Sequence, residues 1–99
     1  MSEEKNQFYK CSIKLLNKLQ DVRIAVLGYK IYFRCKVGEK INGYTSIRED
    51  ELSETIYVDV KTIRKYIKIL EEIKFLKTKR YKGYKWFKVN PKAITEYFE

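Results

Sequence analysis

Histidine is absent from the 99 residues of this chain. The chain therefore has no imidazole for acid–base catalysis near neutral pH and no histidine ligand for a metal. Its only cysteines, Cys11 and Cys35, lie too far apart for zinc-site spacing. The four glycines form no phosphate-binding motif. We therefore expect neither an enzyme nor a metal or cofactor site, although the sequence leaves a lysine nucleophile open.

Long apolar runs are also missing. No stretch reaches about 18 apolar residues, the length that a membrane-spanning helix needs. The first five residues are largely charged and lead into no apolar segment of the secretory type. We expect a cytoplasmic protein that is not inserted in a membrane. Both thiols should be reduced and act as small core residues rather than as redox or metal groups.

Basic residues are abundant and unevenly distributed. The chain has 22 Lys and Arg against 13 Asp and Glu, a net charge of +9. The first 58 residues carry ten basic and eight acidic side chains, whereas residues 59–99 carry twelve and five. This excess implies a polyanionic partner, such as nucleic acid, acidic lipid or an acidic protein. Apolar residues make up 44% of the chain, which is enough for one folded domain over residues 1–99.

Periodicity and turn residues predict a mixture of helices and short strands. The predicted order is helices over 7–19 and 22–37, a loop over 38–43, a short strand over 44–47, helices over 48–55 and 60–74, strands over 75–81 and 84–89, and a terminal helix from Pro91. Asp21, Ser46 and Asp59 are the expected N-caps, with Glu49 as the capping-box partner of Ser46. Gly28 either permits a close helix crossing or breaks its helix.

The predicted helix over 60–74 has one apolar face and one basic face. At 100° per residue, Ile63, Ile67 and Leu70 fall on one side. Together with the short helix before it and the turn at residues 57–58, this segment predicts a helix-turn-helix, whose second helix enters the DNA major groove. The candidate DNA contacts on this helix are Lys61, Thr62, Arg64, Lys65 and Lys68.

These side chains suit different parts of DNA. Arg64 is the first candidate for a base contact, because arginine can form two hydrogen bonds with guanine O6 and N7. Lys61 and Lys65 suit a base or a phosphate. Thr62 suits a phosphate at the helix N-terminus.

A second basic surface is expected on the predicted hairpin, which turns at Lys82-Gly83. Its candidate DNA contacts are Lys77, Lys79, Arg80, Tyr81, Lys82 and Lys85, and Ser46 and Tyr57 are additional candidates for the DNA backbone. Alternation places Phe87 and Val89 inward, whereas Trp86 either faces outward or packs against the last helix. Either basic surface alone is compatible with simple solvation or with protection of an edge strand. Two such surfaces in consecutive elements favour DNA binding.

The segment from Tyr44 to Leu76 resembles winged helix-turn-helix regulators, such as those of the ArsR and MarR type. The match is carried by Leu52-Ser53, Thr62-Ile63-Arg64 and Leu70-Glu71-Glu72. The resemblance implies an α+β winged helix-turn-helix, with N-terminal helices, a tri-helical core, a β-hairpin wing and a short C-terminal helix. It also implies a homodimer, joined by the N-terminal and last helices, that reads double-stranded DNA. Lys74 stands where such proteins usually have glycine.

Three binding roles are compatible with this resemblance, and a transcriptional repressor or regulator comes first. Size and composition also resemble plasmid- or phage-encoded winged helices, including the centromere-binding adaptors of tubulin-like segregation systems. That likeness implies a segregation or replication adaptor that coats repeated DNA sites and recruits a partner protein. The acidic residues Glu49, Asp50, Glu51 and Glu54 are either a surface for such a partner or an ordinary solvated face. The third role is protein interaction alone, which the basic second half disfavours.

Overall fold

The computed structural model describes residues 12–99, which form an α+β arrangement. Over this range there are five helices and a three-stranded antiparallel sheet. The elements are α1 (Ile13–Leu19), α2 (Val22–Val37), β1 (Thr45–Ser46), α3 (Glu49–Ile56), α4 (Val60–Glu72), β2 (Leu76–Tyr81), β3 (Tyr84–Val89) and α5 (Pro91–Phe98). The predicted α+β class is confirmed. The predicted first helix over 7–19 does not run unbroken. Ser12 is extended, and its hydroxyl accepts a hydrogen bond from the amide of Leu15, so the helix begins at Ile13. Residues 7–11, including Phe8 and Cys11, lie outside the described residues.

Within residues 12–99, none of these helices is long and apolar enough to cross a bilayer.

Side-chain caps mark where several helices begin. Asp21 accepts hydrogen bonds from two backbone amides in the first turn of α2. Asp59 accepts one of 2.7 Å from the amide of Thr62 and so caps α4. Asn90 caps α5, and Pro91 is its first residue, where a missing N–H has no cost. The caps at Asp21 and Asp59 and the helix start at Pro91 are as predicted.

The predicted capping box before α3 is wrong. Ser46 is not a cap, because it lies in β1 and pairs with Trp86 of β3. The N-cap of α3 is Arg48, whose side chain makes no capping hydrogen bond. Glu49 is then the first helical residue rather than the third, and its carboxylate is free to point elsewhere.

The core lies where the helices meet the sheet. Its largest fully buried side chains are Leu15, Leu27, Ile31, Ile47, Leu52, Ile63, Ile67, Leu70, Phe75 and Phe87. The apolar face predicted for α4 is therefore buried, and Phe87 and Val89 point inward as predicted. Cys35 is also buried, and this burial raises the pKa of its thiol. The prediction of a core cysteine is confirmed for Cys35.

Gly28 marks a close helix crossing rather than a break. The α2 helix continues through this residue, which is buried. A Cβ atom at Gly28 would lie 2.9 Å from Cδ2 of Leu15 in α1 and 3.5 Å from the ring of Phe75. The missing side chain therefore lets α1 and the corner after α4 approach α2 closely.

The sheet has the strand order β1-β3-β2. Strands β2 and β3 form the predicted hairpin, and both of its turn residues, Lys82 and Gly83, have positive φ as a type I′ turn requires. A second tight turn occurs at Asn42-Gly43, inside the segment predicted as loop. Ile41 and Tyr44 exchange backbone hydrogen bonds of 2.8 and 3.0 Å across it. The Asn-Gly dipeptide is a signal from which this turn could have been predicted.

The chain leaves α4 two residues earlier than predicted. The helix ends at Glu72, and Lys74 has a φ of +62°, in the left-handed region. The backbone N–H of Phe75 still donates to the carbonyl of Leu70, which closes the end of the helix. Lys74 therefore adopts the conformation for which glycine is the usual residue.

Candidate nucleic-acid interface

The basic face of α4 is open to solvent. Its cations Lys61, Arg64, Lys65 and Lys68 are exposed, and they lie opposite the buried face. Thr62 is half-buried at the start of the helix. Hydrogen bonds from the Thr62 hydroxyl and backbone amide lower the pKa of Asp59, so this cap stays ionised at neutral pH. Thr62 is thereby engaged with Asp59 in this structure.

The register of the hairpin divides its cations between two faces. Cross-strand partners in an antiparallel pair share a face. Arg80 is paired with Lys85, two positions along from the Thr78 and Phe87 pair that faces the core. Lys77 and Lys79 alternate with these residues and lie on the opposite, outer face. The hairpin contacts predicted as one surface therefore form an inner and an outer set.

At the inner face of the hairpin, one carboxylate is surrounded by three cations, one from α4 and two from the hairpin. Arg64 of α4 donates a hydrogen bond from Nε to Oε1 of Glu49, with a length of 3.3 Å. From the hairpin, Nη2 of Arg80 lies 3.8 Å from the same oxygen, and Nζ of Lys85 lies 3.6 Å from Oε2. The Glu49 side chain is only 11% exposed, whereas that of Arg64 is 60% exposed. Glu49 thus connects the basic face of α4 to the hairpin.

A groove of 560 Å³ separates the start of α4 from the hairpin tip. It is lined by Ile47, Arg48, Glu49, Asp50, Val60, Arg64, Arg80, Gly83, Tyr84 and Lys85. Four of these side chains are basic and two are acidic. The groove therefore joins the inner set of the hairpin to the N-terminal half of α4.

The outer face of the hairpin combines lysines with aromatic rings. Nζ of Lys79 lies 4.3 Å from the ring centre of Tyr44, and Nζ of Lys82 lies 5.3 Å from that of Tyr81. Trp86 is paired with Lys79, and its indole N–H donates to the Tyr81 carbonyl at 3.2 Å. Of the two alternatives for Trp86, the outward one is observed.

The acidic run at the start of α3 does not act as one patch. Besides Glu49, Asp50 forms an ion pair of 2.6 Å with Arg48, and this hydrogen bond lowers the pKa of Asp50. Glu51 is ion-paired with Arg34 of α2. Glu54 is exposed on the next turn. Three of the four carboxylates are thus engaged with cations of the chain itself.

Ser46 and Tyr57 occupy different surroundings. Ser46 is half-buried in β1, whereas Tyr57 is 81% exposed in the turn before α4. Tyr57 is the C-cap of α3, with a φ of +60°, and it lies two residues before the cap of α4.

Sequence reasoning missed Glu49 as a member of this site, because its 15-residue separation from Arg64 carries no local pattern.

Comparison of the chain with protein-family models, curated proteins and solved structures found no match. The resemblance to winged helix-turn-helix regulators therefore remains an expectation from the sequence.

Proposed function

We propose that this chain is a sequence-specific double-stranded DNA-binding protein of the winged helix-turn-helix type. In this proposal α4 is the recognition helix and the β2–β3 hairpin is the wing. The observation that carries the proposal is the convergence of Arg64 from α4 with Arg80 and Lys85 from the hairpin on one groove. The helix and the hairpin thereby offer cations to the same ligand. Such convergence favours the binding of a polyanion over the alternative of an ordinary solvated surface.

In this proposal the two faces of the hairpin contact different parts of the DNA. The exposed N-terminal half of α4 carries an arginine suited to guanine and lysines suited to phosphates. The inner cations Arg80 and Lys85 lie beside that half. The outer lysines Lys77 and Lys79 lie on the opposite face of the hairpin, where they suit contacts with backbone phosphates.

We further propose that the protein acts as a homodimeric transcriptional regulator on a palindromic site. The resemblance supports the dimer. Exposed apolar side chains along one side of α2, at Val22, Phe33 and Val37, offer surface for it. Sedimentation at micromolar protein, free and on DNA, tests this part. A monomer mass in both states would refute the dimer without affecting DNA binding.

Footprinting across the DNA that flanks the protein's own gene tests the proposed role. A single short protected palindrome is the result expected of a local regulator. A long array of evenly spaced protected repeats would instead indicate a segregation or replication adaptor. No protection, together with equal affinity for all duplexes in solution, would refute sequence-specific binding.

A further inference from the structure

The position of Glu49 is unexpected for a surface proposed to bind DNA. A carboxylate repels phosphates, so an acidic residue among the DNA-facing cations lowers affinity unless it has another role. Glu49 nevertheless lies within the cation cluster, with a side chain that is only 11% exposed. An ordinary solvated glutamate would keep its carboxylate in water instead.

The geometry at Arg64 suggests what that role is. Glu49 accepts a hydrogen bond from Nε of Arg64, which is one of five N–H donors on the guanidinium. The edge formed by Nη1 and Nη2 is not used in this contact. That edge presents two parallel N–H groups, which is the arrangement that pairs with guanine O6 and N7. The contact with Glu49 therefore restrains the arginine while leaving a base-reading edge available.

The same carboxylate also holds the hairpin close to α4. Its two oxygens lie within 4 Å of Arg80 and Lys85, at distances of ion pairs rather than of short hydrogen bonds. Three cations this close repel one another in the absence of DNA. One buried carboxylate offsets that repulsion. Glu49 thus couples the position of the hairpin to the orientation of Arg64.

We propose, on the basis of the DNA binding proposed above, that Glu49 is a positioning residue that determines the DNA sequence specificity of this protein. It acts through Arg64, by fixing the guanidinium for a guanine, and it does not contact the DNA itself. Its charge costs some affinity for all DNA. Its restraint on Arg64 increases affinity for the preferred sequence more than affinity for any other sequence.

The experiment first enriches a preferred duplex from a random library with the wild-type protein. Dissociation constants for that duplex and for a scrambled duplex are then measured at one salt concentration for wild type, E49Q and E54Q. Glu54 is the matched control, because it is an exposed glutamate on the same helix. Both variants lose one negative charge, so both should bind the scrambled duplex equally well or a few-fold more tightly.

The specificity ratio is the affinity for the preferred duplex divided by the affinity for the scrambled duplex. This ratio should differ between the two variants. We expect E49Q to lose about tenfold of the specificity ratio, as loss of one well-oriented arginine–guanine pair would do. E54Q should keep the wild-type ratio. In addition, E49Q should have little further effect on the ratio in an R64A background, because Glu49 acts through Arg64. A purely structural role for Glu49 would lower both affinities in step and would persist without Arg64.

Several outcomes overturn the inference while leaving DNA binding intact. An unchanged ratio in E49Q would do so, as would equal losses with and without Arg64. Thermal unfolding of each variant shows whether it is folded. If E49Q is not, E49D takes its place, because it shortens the side chain by one CH₂ group and withdraws the carboxylate from Nε of Arg64, and a retained ratio in E49D refutes the inference. Failure of the wild-type protein to prefer any duplex would instead refute the proposed function itself.

Discussion

The Nδ2 atom of Asn90 donates a hydrogen bond of 3.1 Å to the carbonyl oxygen of Lys74. The backbone N–H of Asn90 donates another, of 2.9 Å, to the carbonyl of Phe75. These bonds connect the start of α5 to the corner that follows α4. They hold Lys74 in the left-handed region, where a residue other than glycine costs about 1 kcal/mol.

Replacing Lys74 with glycine should therefore stabilise the protein. Relief of the left-handed backbone is partly offset by the greater freedom of glycine in the unfolded chain, so we expect the free energy of unfolding to rise by about 0.5 kcal/mol or less. Urea unfolding followed by circular dichroism measures this gain. The control is K68G, which lies in the middle of α4 and should destabilise instead. A destabilised K74G would show that the lysine side chain contributes contacts that outweigh the backbone strain.

Arg64→Ala should reduce affinity for the preferred DNA site by about 1–3 kcal/mol and relax specificity at one position. The reason is loss of the two-bond pairing with a single base. Binding titrations on the preferred and scrambled duplexes measure both effects. Lys68→Ala is the control, because Lys68 is an exposed cation farther along α4 and should weaken binding to both duplexes alike. Equal losses on both duplexes for R64A would make Arg64 a phosphate contact.

The two faces of the hairpin should contribute differently to DNA affinity and to sequence specificity. Changing Lys77 and Lys79 to glutamine should weaken binding to all sequences. It should also reduce the slope of log affinity against log salt by about 0.9 for each phosphate that is no longer neutralised. Changing Arg80 and Lys85 to glutamine should in addition lower the specificity ratio, because these residues adjoin Arg64 through Glu49. Salt titrations of both double variants test this difference. An unchanged slope in the first variant would remove the outer face from the interface.

The cap at Asp59 should make stability depend on pH in the acidic range. Hydrogen bonds from Thr62 lower the pKa of Asp59 below its ordinary value of 3.8 in the folded protein. The ionised cap therefore stabilises the fold fully above that ordinary value, and the contribution is lost as pH falls through it toward the folded-state pKa. D59N should melt at a lower temperature than wild type at pH 7, and the gap should narrow below about pH 4. A gap that stayed constant down to about pH 2 would contradict this origin.

Local patterns in the sequence determined much of the fold. The buried face of α4 followed from apolar residues at helical spacing, and the hairpin followed from alternation around Lys82-Gly83. The cap at Asp59 and the helix start at Pro91 depend on residues within three positions. Such features can be predicted because the interacting groups are near neighbours in the chain. The missed turn at Asn42-Gly43 belongs to the same class, since its signal was present.

Only part of the candidate site could be predicted from the sequence. Its exposed cations on α4 could be identified from the helical period, but the local pattern at Glu49 indicated a capping box with Ser46 that β1 pairing prevents. The meeting of Glu49 with Arg64, Arg80 and Lys85 joins residues 15 to 36 positions apart. Its geometry depends on how α3, α4 and the hairpin pack on a common core. The sequence thus determined which side chains are charged and exposed, and only tertiary packing decided which of them share a groove.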